Sequence, residues 1–274
     1  MTATAVGSTT PLGEKIRVTQ PRVVLSEWTK LRSLRSTRWS LLAATVLTIG
    51  LPILGAAVIS SHWAQRSAAD KASFHPLDVA LIGSQVAQLA IGVLGVLVIS
   101  GEYSTGMIRA TLSAVPKRLP VLWAKAAVYA TVCFLLMLPA TLIAFFASQA
   151  ILSGHHIQIA FSHAHVARAV VGAALYLTVI AVFSLSLGAI LRNTAGGIAT
   201  FAAILFVIPP LMNVLPTSWN DAASPYLPSN AGRAILAITR DSSSLAPWTG
   251  FGLFCGYTAV ALLLAAVLLR RRDA

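Results

Sequence analysis

Six long apolar runs decide what this chain can fold into: Trp39–Ser60, Val79–Ser100, Pro120–Phe146, Ala167–Leu191, Ala195–Leu215 and Pro247–Leu269. A hydrophobic run of about 20 residues is long enough to cross a bilayer as a helix. Six of them predict an all-α integral membrane protein with six transmembrane helices. Composition points the same way. Only 10% of the 274 residues are charged, against roughly 25% in soluble domains, so the chain lacks the polar surface a soluble protein of this size needs.

An even number of spans puts both termini on one side of the membrane. Counting lysines and arginines decides which side, because cytosolic loops carry the excess. With the ends inside, fifteen of the 20 basic residues are cytosolic, and only Arg66, Lys71, Arg168, Arg233 and Arg240 lie outside. Both termini are therefore predicted to be cytosolic. The net charge of +12 raises nucleic acid as a partner, but the basic residues flank apolar runs and form no patch interleaved with aromatics. Membrane lipids and the positive-inside rule account for them instead. Cys133 and Cys255 both fall inside apolar runs, with no spacing for a disulfide framework or a zinc site. No cleavable signal peptide is expected, because the first apolar run starts only at Trp39 and is too long for one.

Residues 1–20 read as a disordered cytosolic tail, residues 21–38 as an amphipathic interfacial helix, and residues 39–274 as the six-span domain. In the second segment Val24, Trp28 and Leu31 can share one face, with Lys30, Arg32, Arg35 and Arg38 on the other. Trp28 and Trp39 are placed at the membrane interface. A plain basic topology signal is the alternative.

The charged interruption Gly101–Arg118 separates two apolar runs. The chain is expected to leave the membrane at Gly101, form a short amphipathic structure and re-enter. Met107, Ile108, Leu112 and Val115 recur at helical spacing, Glu102 and Arg109 frame the segment, and Pro116 stops it before Lys117 and Arg118. A membrane-hugging helix with charge at both ends suits contact with a soluble partner, although a loop that merely fixes topology has the same composition. Lys125, in the first turns of the third span, is expected to snorkel to water.

Pro52, Pro139 and Pro209-Pro210 lie within spans and can kink them, and Gly252 with Gly256 permits close helix approach, read as packing within the subunit. The outer segment 216–246 contains Trp219, Pro225-Tyr226-Leu227-Pro228 and an apolar patch over 231–239. It reads as short helices lying at, or dipping into, the outer membrane face, as an exit route or a cap.

Catalytic constellations are missing. The chain has no His-Glu-x-x-His, no Gly-x-Ser-x-Gly and no phosphate loop, so no catalytic residue, no cofactor and no enzyme activity of its own are expected. His62, His75, His155, His156, His163 and His165 all fall in outer loops and read as solvated, not metal-binding. The spans carry no ionisable group near their centres, which argues against a gradient-driven carrier. Energy for any transport must arrive from outside the spans.

Two stretches, Ser26-Glu27-Trp28-Thr29-Lys30-Leu31-Arg32-Ser33 and Gly101-Glu102-Tyr103-Ser104-Thr105-Gly106-Met107-Ile108-Arg109, resemble short bacterial permeases of the ABC-2 type. So does Tyr226-Leu227-Pro228-Ser229 followed by Asn230–Ile235. These permeases are the membrane subunits of ATP-binding-cassette exporters, and the resemblance covers nearly the whole chain after about residue 20. Met107 departs from it, standing where a small polar residue is usual. The resemblance implies a plasma-membrane protein of the bacterial inner membrane, a separate ATPase subunit, and a second permease copy or a similar subunit. It implies a partner-docking role for Glu102, Tyr103, Gly106, Arg109, Pro116, Lys117 and Arg118. Glu27, Trp28, Lys30 and Arg32 would belong to the interfacial helix, and Tyr226, Pro228 and Asn230 to a re-entrant outer segment. Two other readings remain open: a non-transporting membrane scaffold or immunity protein, and a secondary carrier.

Overall fold

A computed structural model describes residues 19–104, 106, 118–214, 216–239 and 244–271. These residues form ten helices and no strand: α1 (Gln20–Ser33), α2 (Arg35–His62), α3 (Ala68–Ala72), α4 (Pro76–Ser104), α5 (Arg118–Leu152), α6 (Val166–Leu191), α7 (Thr194–Met212), α8 (Thr217–Ala223), α9 (Pro228–Arg233) and α10 (Pro247–Arg271), with short 3-10 turns between some of them. Six of these, α2, α4, α5, α6, α7 and α10, are long and apolar enough to cross a membrane. This is a multi-pass membrane protein, all-α throughout the described residues.

The bundle is built around α6. It packs against α4, α5, α7 and α10, while α2 lies on the far side against α4 and α5. With so little polar side chain, close backbone approach does much of the packing. A Cβ on Gly92 of α4 would enter the ring of Phe201 on α7, and one on Gly95 would strike Ser184 and the Ala181 carbonyl of α6. Hydrogen bonds between spans add direction: Tyr129 Oη donates to the Ile91 carbonyl at 2.6 Å, and Tyr176 Oη to Gln88 Oε1 at 2.6 Å.

The prolines are absorbed in different ways. Pro52 sits inside an unbroken α2, and Thr48, whose carbonyl it deprives of a helical donor, turns that carbonyl toward Gly83 of α4. Pro139 likewise lies within a continuous α5. Pro209-Pro210 follows a π-helical turn at Ala203–Val207, where α7 widens.

Several boundaries differ from expectation. The helix expected over residues 21–38 ends at Ser33, because Leu34 is extended (φ −76°, ψ 123°) and Arg35–Arg38 open the first span's helix instead. The chain does not leave its helix at Gly101, since α4 continues to Ser104. The Gly252/Gly256 pair is not an internal packing site. Among the described residues nothing from another element stands within 4 Å of a Cβ at either position.

This contrast is testable. Gly92→Val must displace Phe201 and should destabilise the detergent-solubilised protein by about 1–3 kcal/mol, the usual cost of overpacking. Gly256→Val meets open space and should leave the thermal unfolding curve of the single chain unchanged.

Candidate functional site

The end of the bundle that bears α1 carries, with α1 itself, most of the described positive charge. The site is built there from four side chains on three helices. On α1, Val23, Glu27 and Leu31 recur four apart and form its buried face, against α5. The sequence groups Val24 and Trp28 with Leu31 on one apolar face; of these only Leu31 faces the bundle, while Val24 and Trp28 are about 40% exposed, at 39% and 43%, and a carboxylate takes the inward position between Val23 and Leu31. Glu102 arrives from the last turn of α4, and Lys125 from the second turn of α5.

Together they make a closed ion cluster. Lys30 Nζ bonds Glu27 Oε1 at 2.8 Å and Glu102 Oε1 at 3.1 Å. Lys125 Nζ bonds Glu27 Oε2 at 2.5 Å and Glu102 Oε1 at 3.0 Å. Two carboxylates face two ammonium groups, so the cluster is formally neutral. Lys125 does not snorkel to water. It is only 4% exposed, because two carboxylates come to it from other helices. Burial alone would lower the Lys30 pKa, but the hydrogen bond and charge of Glu27, and those of Glu102, outweigh it and hold the ammonium above its ordinary value.

The cluster ties together both stems of the segment between Gly106 and Arg118. Glu102 sits on the stem that enters it and Lys125 on the helix that leaves it. Beside Glu102, Tyr103 stacks under the Arg192 guanidinium, 5.1 Å from the ring centroid, and Ser100 shares a 2.8 Å hydrogen bond with Thr194 at the start of α7. Arg192 is the left-handed residue (φ 53°) in the tight link between α6 and α7, and it also reaches the Leu268 carbonyl of α10. The α6–α7 link is then locked by Asn193, whose side chain accepts from the Gly196 amide at 2.8 Å. A cavity of about 300 Å³ opens beside the cluster, lined by Glu27, Lys30, Glu102 and Lys125 and by the α1–α2 elbow at Ser33 and Leu34. Glu102 Oε2 is buried and has no hydrogen-bond partner among the described residues.

The remaining predicted residues are scattered. Glu102 faces inward, so it braces the segment without forming a docking surface of its own. Gly106 is exposed with φ +70°, a conformation that suits glycine. Arg109, Pro116 and Lys117 lie outside the described residues, and Arg118 begins α5. Trp28 and Arg32 are exposed on α1.

At the opposite end of the bundle, Pro228 starts α9, and Asn230 Nδ2 donates to the Ser224 carbonyl and hydroxyl, both at 2.9 Å. Tyr226 accepts from Tyr257 Oη of α10 through its backbone carbonyl at 3.0 Å. The short helices do enter the bundle: Gly232 lies against Tyr176 and Phe254, and Ile235 against Gly172. Between them and α4 is a polar cavity of about 470 Å³ lined by Asp78, Gln85, Asn220, Asp221, Asn230 and Arg233. All six histidines are exposed, and no three potential metal ligands converge among the described residues.

Lys125 is the residue that sequence reasoning undervalued. A lone charge inside an apolar run was the available signal.

Breaking one arm of this cluster leaves an uncompensated buried charge. Lys125→Met should cost about 3–5 kcal/mol, and adding Glu27→Gln should recover part of it; unfolding in detergent measures both. Lys30 has a pKa raised on folding. Its contribution should therefore be complete below its ordinary value of 10.5 and be lost only as pH rises through and above that value. Lys30→Met should remove that alkaline step from the stability profile.

Neither the protein-family models nor the curated protein sequences contain a match to this chain.

Proposed function

We propose that this chain is the membrane-spanning permease subunit of an ABC-2-type exporter, moving a substrate outward with ATP hydrolysed by a separate subunit. The observation that carries the reading is the junction at Glu102 and Lys125. Both stems of one interhelical segment are joined there to each other and to α1 by buried ion pairs. A soluble partner pressing on that segment would move α1, α4 and α5 together, because separating them exposes or strands buried charge. On this reading, residues 105–117 carry the coupling helix, α1 is the interfacial connecting helix, and the end bearing the cluster is cytosolic in a bacterial inner membrane. Positive-inside counting supports that orientation: Arg22, Arg32, Arg35, Arg38, Arg270 and Arg271 sit at the cluster's end, against Arg66, Lys71, Arg168 and Arg233 at the other.

The rest of the mechanism follows from rigid-body motion. Closure of two ATPase subunits would drive two permeases to rock about their shared face and open a path outward. The exposed apolar surfaces of α4 (Ile82, Val86, Leu89) and α7 (Val207, Ile208, Leu211) are available to a second copy or similar subunit. The helices that enter the bundle near Tyr176 and the polar cavity beside Asp78 and Arg233 would lie along the outward route.

Affinity purification from the native membrane in mild detergent tests this. A stoichiometric ATP-binding subunit should accompany the wild-type protein and be lost when residues 105–117 are replaced by a flexible linker. Glu102→Gln should keep that subunit bound but lower substrate-dependent ATP turnover by an order of magnitude. Recovery of the permease without any ATP-binding partner would overturn the proposal.

A further inference from the structure

One groove lies apart from the charge cluster, between the exposed face of α1 and the outer sides of α2 and α5. Val24, Leu25 and Trp28 form one wall, and Leu41, Val132 and Leu135 form the other. The hollow is about 1020 Å³, and along α5 it extends from Ala127 to Leu136, about 13 Å at the helical rise. Its walls are almost wholly apolar, and in a bilayer they must be covered by hydrocarbon.

The charge at the groove separates it from ordinary lipid-facing surface. Arg32 and Arg38 both line it, where α1 turns into α2. Arg38 Nε donates to the main-chain carbonyl of Arg32 at 2.8 Å, which holds the Arg38 guanidinium against the end of α1 that carries Arg32. Among the described residues neither has a carboxylate partner. The acids within reach, Glu27 and Glu102, are buried on the other side of α1 and already paired with Lys30 and Lys125. Among the described residues, then, two guanidiniums without a carboxylate partner stand beside an apolar channel. Their planar forks match the oxygens of a phosphate, and their charge selects an anionic headgroup over a zwitterionic one.

We infer that this groove seats one anionic phospholipid, its phosphate on Arg32 and Arg38 and an acyl chain along Val132 and Leu135. The lipid completes the packing of α1, covering Val24, Leu25 and Trp28 while Val23, Glu27 and Leu31 face the protein. The inference needs only that the spans cross a bilayer and does not rest on the exporter reading.

Trp28 reports on the groove directly. The full-length protein is reconstituted in phosphatidylcholine vesicles containing, at equal mole fraction, either phosphatidylglycerol or phosphatidylcholine with brominated acyl chains. The quenching of Trp28 is obtained by subtracting the Trp28→Phe variant. Brominated phosphatidylglycerol should quench several-fold more strongly than brominated phosphatidylcholine. That preference should disappear in R32Q/R38Q and survive in R66Q/K71Q, which removes two cations at the opposite end of the bundle. Equal quenching by the two lipids in the wild type would mean bulk lipid only and would overturn the inference, as would a preference that persists in R32Q/R38Q. A wild-type salt titration needs no variant to fold. The preference must fall as salt screens the headgroup contact, and a salt-insensitive preference overturns the assignment.

Discussion

A buried lysine, a half-buried one and two buried glutamates at one end of a mostly apolar bundle set how α1, α4 and α5 meet. Burying a single ammonium is costly enough that it must be paired, and the pairing must be geometrically tight. Lys125 meets that requirement only while α1 and α4 are both in place, since its carboxylates come one from each. The position of α1 is thus set by charge, and its apolar residues follow. This explains why its inward stripe is Val23, Glu27 and Leu31, with a carboxylate at the centre.

The other half of the architecture depends on small residues. α6 is the most buried span and touches four others; Gly95 and Gly188 let its backbone meet that of α4, and Gly197 brings α7 against Gly188. The two devices act at different depths. Glycine contacts and buried tyrosine hydrogen bonds hold the spans through the apolar layer, where no water competes. Ion pairs and the Tyr103–Arg192 stack hold the ends that share α1. The opposite end has no comparable cluster among its described residues. Its short helices are held by backbone acceptors and by insertion against Tyr176 and Phe254. One end is therefore bound by specific polar pairs, and the other by packing around an open polar cavity.

Span number and approximate extent were legible in the sequence because helix length against bilayer thickness is a one-dimensional property. The identity of the buried partners was not. Lys125 and Glu102 are 23 residues apart and Lys125 and Glu27 are 98 apart, so their meeting depends on three helices converging. A lone lysine in an apolar run reads equally well as a snorkelling residue until a carboxylate is found beside it. The inward stripe of α1 was hidden for the same reason. Val24 and Trp28 make the more apolar stripe, and only the presence of Lys125 on α5 accounts for Glu27 facing inward. The Gly252/Gly256 pair shows the reverse error: a packing motif was present, but among the described residues no helix came to it.

The cluster is tight but not saturated. Both lysines converge on Glu102 Oε1, while Oε2 is buried without a partner among the described residues. A carboxylate can exchange its two oxygens by rotating about one soft torsion, and the cavity beside it, lined by Glu102, Lys30 and the α1–α2 elbow, leaves room for the lysines to follow. Such an exchange alters which oxygen each helix holds while keeping every charge paired. Coupled motion needs elements with discrete alternative packings more than it needs compliant ones. Buried pairs that can be re-partnered meet that condition, whereas the close glycine contacts around α6 do not. On the proposed reading, force on the segment between Gly106 and Arg118 would reach the bundle through this cluster, while the glycine contacts around α6 offer no comparable alternative pairing.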